Sequence, residues 1–176
     1  TEALVRYFLR HPLADSLPRK FKIAFSGCDT DCAVAAIHDI GLVAQVREGV
    51  PGFKVYAGGG LSTLPISALV LHDFVPVTEL ARVGEALLRL FHRLGNRENK
   101  FRARLKYVVK KLGDQGFRDT YAQIRAEVDA EAKAELKLPQ NPARTPAPPV
   151  VLDGAPREGY LNWRATNVVD QRQDGY

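Results

Sequence analysis

Six prolines fall between Pro139 and Pro156. Each fixes φ and removes a main-chain donor, so the stretch suits a semi-rigid extended spacer and not a packed core. The folding problem therefore reduces to residues 1–138, with 139–158 a Pro-rich linker and 159–176, too short to fold alone, the start of a second unit. A unit of this size can bury one hydrophobic core.

Composition sets the outer bounds. With 45% hydrophobic and 26% charged residues, collagen-like and wholly disordered classes are excluded. No apolar run approaches the roughly 20 residues that cross a bilayer, so no membrane partner is expected. Two cysteines cannot build a disulfide framework and no leader-like segment opens the sequence, which points to a reducing, cytoplasmic setting. The sequence contains no Met, so it is expected to be a processed product or a segment of a longer polypeptide. Twenty-five Lys+Arg against twenty Asp+Glu give a net charge of +5, which favours anionic partners without naming one.

Periodicity locates the elements. Leu4, Val5, Phe8 and Leu9 recur at helical spacing before His11-Pro12. Lys20 to Ser26 alternates, with Phe21, Ile23 and Phe25 on one face and Lys20, Lys22, Ala24 and Ser26 on the other, the period of a half-buried strand. Ala33 to His38 predicts a helix capped by Asp and Thr. Leu42 to Val46 and Phe53 to Tyr56 predict two strands joined through Gly49, Pro51 and Gly52. Thr78 predicts the N-cap of a helix whose stripe runs from Leu80 to Leu94 and closes at Gly95. Two more helices are predicted, Lys100 to Leu112 and one from Phe117 that fades by Leu138, with Gly113 between them. The class expected is mixed α+β, a small sheet covered by helices.

Several residue groups could carry chemistry. Lys20 and Lys22, about 6.6 Å apart on one strand face and flanked by Arg19, could hold a small anion or could be a solvated edge. Cys28 and Cys32 sit C-x3-C at a strand-to-helix turn, where thiolates can hold an iron–sulfur cluster. They are half of a four-thiolate shell, and two free thiols or a disulfide fit as well. Gly58-Gly59-Gly60-Leu61-Ser62 permits close main-chain approach and leaves N–H groups to face an anion, but it matches neither common nucleotide loop. Arg97, Lys100 and Arg104 share a helical face within a basic run reaching Lys111, a face either solvated or gripping phosphates and carboxylates. His11, His38, His72 and His92 lack metal-ligand spacing and read as structural.

In order, His11-Pro12-Leu13-Ala14, Leu17-Pro18-Arg19-Lys20-Phe21-Lys22, His38-Asp39-Ile40-Gly41, Gly52-Phe53, Gly58-Gly59-Gly60-Leu61-Ser62 and Asn96-Arg97 through Arg102-Ala103-Arg104-Leu105-Lys106-Tyr107 resemble the siroheme-dependent nitrite and sulfite reductases. Leu112-Gly113 with Phe117-Arg118 continues the likeness, which covers roughly residues 1 to 130. The resemblance implies the first of two pseudo-symmetric halves that clasp siroheme, with a 4Fe-4S cluster held by four cysteines of the catalytic half. It implies that Lys20 and Lys22 reach the substrate side, that Arg104 meets a siroheme carboxylate, and that Gly58, Gly59, Gly60, Leu61 and Ser62 pass along the macrocycle, with Arg19 and Arg97 also cofactor-facing. Trp163 to Asn167 and Gly175-Tyr176 resemble the entry to the second half. Many relatives lack cysteines in the first half, so Cys28 and Cys32 are either metal ligands of a second cluster, completed by cysteines before Thr1, or a relic.

The function so implied is six-electron reduction of sulfite or nitrite, in an enzyme of which this chain supplies one half, with ferredoxin or a flavoprotein as electron donor. The competing classes are a basic nucleic-acid-binding module using Arg97 to Lys111 and a thiol or metal redox sensor using Cys28 and Cys32. The basic run carries no recognised nucleic-acid motif, so nucleic acid is not the expected partner.

Overall fold

The computed structural model describes residues 1–138 and 158–169. The chain divides into two units, Thr1–Leu138 and Pro139–Tyr176. The linker expectation, residues 139–158, falls outside those described except at Glu158, where a helix begins. Of the second unit one helix is described, α4 (Glu158–Asn167), with Tyr160 and Trp163 stacked at 6.1 Å between ring centres.

In the first unit α1 (Glu2–Phe8) precedes β1 (Ile23–Ser26), β2 (Ile40–Arg47), β3 (Val50–Ala57) and β4 (Leu69–Pro76), and then come α2 (Leu80–Leu94) and α3 (Leu105–Glu131). The strands form one sheet in the order β1-β2-β3-β4, parallel between β1 and β2 and antiparallel elsewhere. The fold is mixed α+β. β2 and β3 join through Glu48-Gly49, with φ of 51° and 77°, the pair of left-handed residues that a tight hairpin turn requires. Pro51 and Gly52 lie inside β3 and not in the turn, and a Cβ at Gly52 would come within 2.5 Å of the Phe74 ring.

The core lies between one sheet face and the helices. Ile40, Leu42, Val55, Ala57, Leu71 and Val75 bury against Leu87, Leu90 and Phe91 of α2 and against Leu105, Val108, Phe117, Tyr121, Ile124 and Val128 of α3. Phe21 stacks on Phe91 at 5.6 Å, so the apolar face predicted for the first strand does turn inward. Arg89–Glu131 and Arg93–Glu127 pair bidentately between α2 and α3. Exposed pairs of this kind contribute about 0–1 kcal/mol each, so the apolar stripe dominates the docking of the two helices. α3 is broken at Gly113, where φ is 69° and ψ 168°, which is where the sequence separates two helices.

Glu85 of α2 is the buried carboxylate of this layer. It accepts from Arg89 Nε at 2.7 Å and Tyr7 Oη at 3.2 Å and lies 3.0 Å from His11 Nε2, tying the His11-Pro12 turn to α2. Burial and the Glu85 charge push the Tyr7 phenol up to about 12.

Four sequence expectations are corrected. The first strand begins at Ile23, leaving Lys20 and Lys22 ahead of it. The Ala33–His38 helix is only a 3-10 turn, Ala35–Ile37, because Val34 is left-handed at φ 49° and Asp31 already takes the Ala35 N–H. α3 begins at Leu105 and not at Lys100, which lies in a 3-10 turn, and the N-cap of α2 is Glu79 instead of Thr78. β4 is an unanticipated strand. Its irregular register against β3 breaks the period-2 signal, and Arg118 of α3 donates to the Val70 and Leu71 carbonyls.

His72 of β4 meets Tyr121 Oη at 2.8 Å. Burial, then Arg125 and Arg118, lower the His72 pKa, which disfavours taking up a proton to form the imidazolium. The folded state therefore binds this proton less readily than the unfolded chain does. Its stabilising contribution is complete above the ordinary value of 6.5 and is lost as pH falls from there toward the folded pKa. Thermal melts followed by circular dichroism should show His72→Gln losing less melting temperature than the parent on acidification below pH 6.5.

Candidate functional site

Because β1 and β2 run parallel and β3 antiparallel to them, the starts of β1 and β2 and the end of β3 lie at one end of the sheet. The N-terminus of α3 reaches the same end through Arg104, its N-cap. Asp39, one residue before β2 and fully buried, joins all four. Its carboxylate accepts the Lys22 N–H at 2.9 Å, Arg104 Nε at 3.1 Å and Arg104 Nη2 at 2.6 Å. Its carbonyl accepts the Gly58 N–H at 2.9 Å, while the Ile40 N–H donates to the Lys22 carbonyl at 3.0 Å. Lys22 is thus fixed on both sides of its peptide, although it stands outside the strand.

The glycine loop is seated on this hub. Gly59 donates to the His38 carbonyl, and Gly60 and Ile66 exchange both main-chain bonds, each at 2.9 Å. The three glycine amides are therefore taken within the protein and do not face an anion, a correction to the sequence reading. What demands glycine is close packing: a Cβ at Gly59 would stand 2.2 Å from the Ala36 carbonyl oxygen, and one at Gly58, where φ is +80°, 2.3 Å from Val109. Lys106, with 1% of its surface exposed, braces the loop with Nζ donating to the Leu61 and Leu64 carbonyls at 2.6 Å. Burial and the adjacent Arg104 charge lower its pKa. Leu61 and Ser62 form the exposed tip.

Lys20 and Lys22 are exposed, and among the described residues neither ammonium has an ion-pair partner. Arg19 and Arg97 do not join them. Arg19 Nη1 donates to the Lys100 carbonyl at 3.0 Å and Arg97 Nη1 to the Ser16 carbonyl at 2.8 Å, so the two guanidinium groups staple the loop after α2 to the segment before β1. The shared helical face expected for Arg97, Lys100 and Arg104 is absent: these residues occupy a loop, a 3-10 turn and an N-cap. Arg93, Arg97, Arg102, Lys110 and Lys111 line a groove of about 960 Å³ beside exposed Phe101. Cys28 and Cys32 lie on the connection from β1 to β2, where hydrogen bonding by Thr30 lowers the Cys28 pKa. Asp39 and Lys106 went unnoticed as site residues. Asp39 could have been suspected from the quoted His-Asp-Ile-Gly segment, and Lys106 from its place beside the inward Leu105.

The arrangement is a mixed α+β unit whose one end carries free cations over a locked main-chain hub. The chain belongs to the family of the nitrite and sulphite reductase 4Fe-4S domain, which matches residues 1–129. A sulfite reductase (ferredoxin) of Mycolicibacterium paratuberculosis is 38% identical over 140 residues, 77% of this chain and 25% of that protein. The assimilatory ferredoxin-dependent nitrite reductase of Haloferax mediterranei is 39% identical over 126 residues, 68% of this chain and 22% of that protein. The solved structure of the Mycobacterium tuberculosis NirA protein superposes with a TM-score of 0.64 at 32% identity, over 72% of this chain and 23% of that one. The chain thus spans about a quarter of the length of the curated relatives it matches.

The residues present fit the two family cofactors unequally. Exposed Lys20 and Lys22 suit a polycarboxylate or an oxyanion, and Arg104, bonded to Asp39 through Nε and Nη2, keeps Nη1 for a further acceptor. Cys28 and Cys32, the two cysteines of the given sequence, amount to half of a four-thiolate shell.

Proposed function

We propose that this chain is a fragment of the substrate-facing half of a cytoplasmic, siroheme-dependent reductase that takes sulfite or nitrite through a six-electron reduction. A related second half completes the enzyme, and ferredoxin or a flavoprotein donates the electrons. The reading rests on one observation above the others: two unpaired ammonium groups, at Lys20 and Lys22, on a segment whose main chain is clamped to Asp39 and Ile40. Siroheme, when bound, supplies the electron transfer to the substrate. Lys20 and Lys22 bind the anion and deliver protons from Nζ as oxygen departs. Arg104 Nη1 holds a macrocycle carboxylate while Asp39 orients the guanidinium, and Leu61 and Ser62 border the macrocycle. Arg19 and Arg97 position the neighbouring loops.

Absorption spectroscopy of the longer protein tests the reading. Siroheme bands, together with consumption of sulfite or nitrite under a reduced donor, are expected. A colourless protein that retards DNA on a gel would instead establish the nucleic-acid module.

A further inference from the structure

The hub does not use Cys28 and Cys32. Both sulfurs lie within hydrogen-bond reach of a single atom, the Thr30 hydroxyl oxygen, at 2.9 Å for Cys28 and 3.4 Å for Cys32. They can be no farther apart than the sum of these distances. Cys32 is exposed, Cys28 is half-buried and Thr30 is exposed, so small reagents reach the pair and the hydroxyl can swing away into water. The turn that sets this spacing is closed by the Asp31 N–H donating to the Cys28 carbonyl at 3.3 Å, and Asp31 is anchored in turn by the Ala35 N–H. Among the described residues no group of three metal-ligating His, Cys, Asp or Glu side chains forms.

We infer that Cys28 and Cys32 form a vicinal dithiol that closes reversibly to an intramolecular disulfide by exchange with a small-molecule disulfide. Cys28, as thiolate, attacks one sulfur of that disulfide and expels the other as a thiolate, leaving a mixed disulfide on Cys28. Cys32, after losing its proton to water, attacks Cys28 Sγ and releases the second small thiol. Two cysteine thiols are oxidised and one external disulfide is reduced to two thiols. The movement required is local, since sulfurs that already share the Thr30 hydroxyl must approach to about 2.05 Å. The inference stands apart from the reductase reading and survives its failure.

The test uses the whole chain, reduced and freed of reductant, with oxidised glutathione as the probe near neutral pH. Intact mass spectrometry should show loss of two hydrogens without a retained adduct, iodoacetamide should no longer label either cysteine, and dithiothreitol should restore both. Cys32→Ser should instead stop at one stable glutathione adduct on Cys28. Both positions tolerate serine on exposure grounds, and an unchanged circular dichroism melt confirms folding of the variant. Stable adducts on both cysteines of the parent, two thiols that remain fully alkylated, or a disulfide-linked dimer would each overturn the inference. An unmodified Cys32→Ser chain would overturn the role of Cys28 as the attacking thiol.

Discussion

Lys22→Ala, and separately Lys20→Ala, is expected to lower kcat/KM for sulfite or nitrite by about tenfold or more in the longer reductase, since each charge-assisted contact is worth roughly 1.5–3 kcal/mol. Small oxyanions must approach an electron-rich reduced macrocycle, and two ammonium groups offset that repulsion while supplying protons. Melting temperature and siroheme content should stay near wild type, because the neighbouring Phe21 carries the packing and the Lys22 peptide keeps its bonds to Asp39 and Ile40 whatever its side chain. Steady-state kinetics with cofactor occupancy measured alongside decides the matter. Wild-type turnover by both variants with siroheme in place would reduce these lysines to a solvated edge.

Asp39→Ala should have the opposite profile, a large loss of stability. Asp39 is fully buried, and its removal strands the Arg104 guanidinium and the Lys22 amide together. Breaking a buried ion pair from one side costs about 3–5 kcal/mol. For a unit of this size that corresponds to a fall in melting temperature on the order of 10 °C or more. Calorimetry of the chain checks it. The double variant Asp39→Ala with Arg104→Met removes both charges and should recover part of the loss, which separates an abandoned charge from simple loss of packing. A fall of only 1 or 2 °C in the single variant would mean that water reaches the hub and the pair is not desolvated.

What could be read from the chain follows from how local each signal is. The α2 stripe, the β2–β3 hairpin and the break at Gly113 all announce themselves within a few residues, and they stand in the structure. The Ala33–His38 segment misled because alanine's high helix propensity yields to tertiary context, and here Gly41 packs so close that a Cβ there would meet the Ala35 carbonyl oxygen at 2.2 Å. Tertiary contact decided that segment. β4 went unseen because adjacent His72 and Asp73 interrupt the apolar residues of Leu69 to Val75, leaving neither a strict alternation nor a continuous apolar run to mark it as a strand. At the candidate site, alternation did expose Lys20 and Lys22. It could not reveal that Asp39 holds the Lys22 main chain in place, since a lone aspartate looks like any turn residue until its arginine, 65 positions later, is folded against it.

That separation bears on the order in which the molecule is made. A ribosome delivers Lys20, Lys22, Asp39 and the glycine loop long before Arg104 and Lys106, so the early segments leave the exit tunnel with neither cation to complete the hub. Closing so long a loop is entropically costly, and until it closes the Asp39 carboxylate has the Lys22 N–H but no cation to neutralise it. The lysines consequently reach their final arrangement only after the first turn of α3 has docked. A nascent chain halted in the stretch before Arg104 would carry every residue of the anion-facing edge and still have no site.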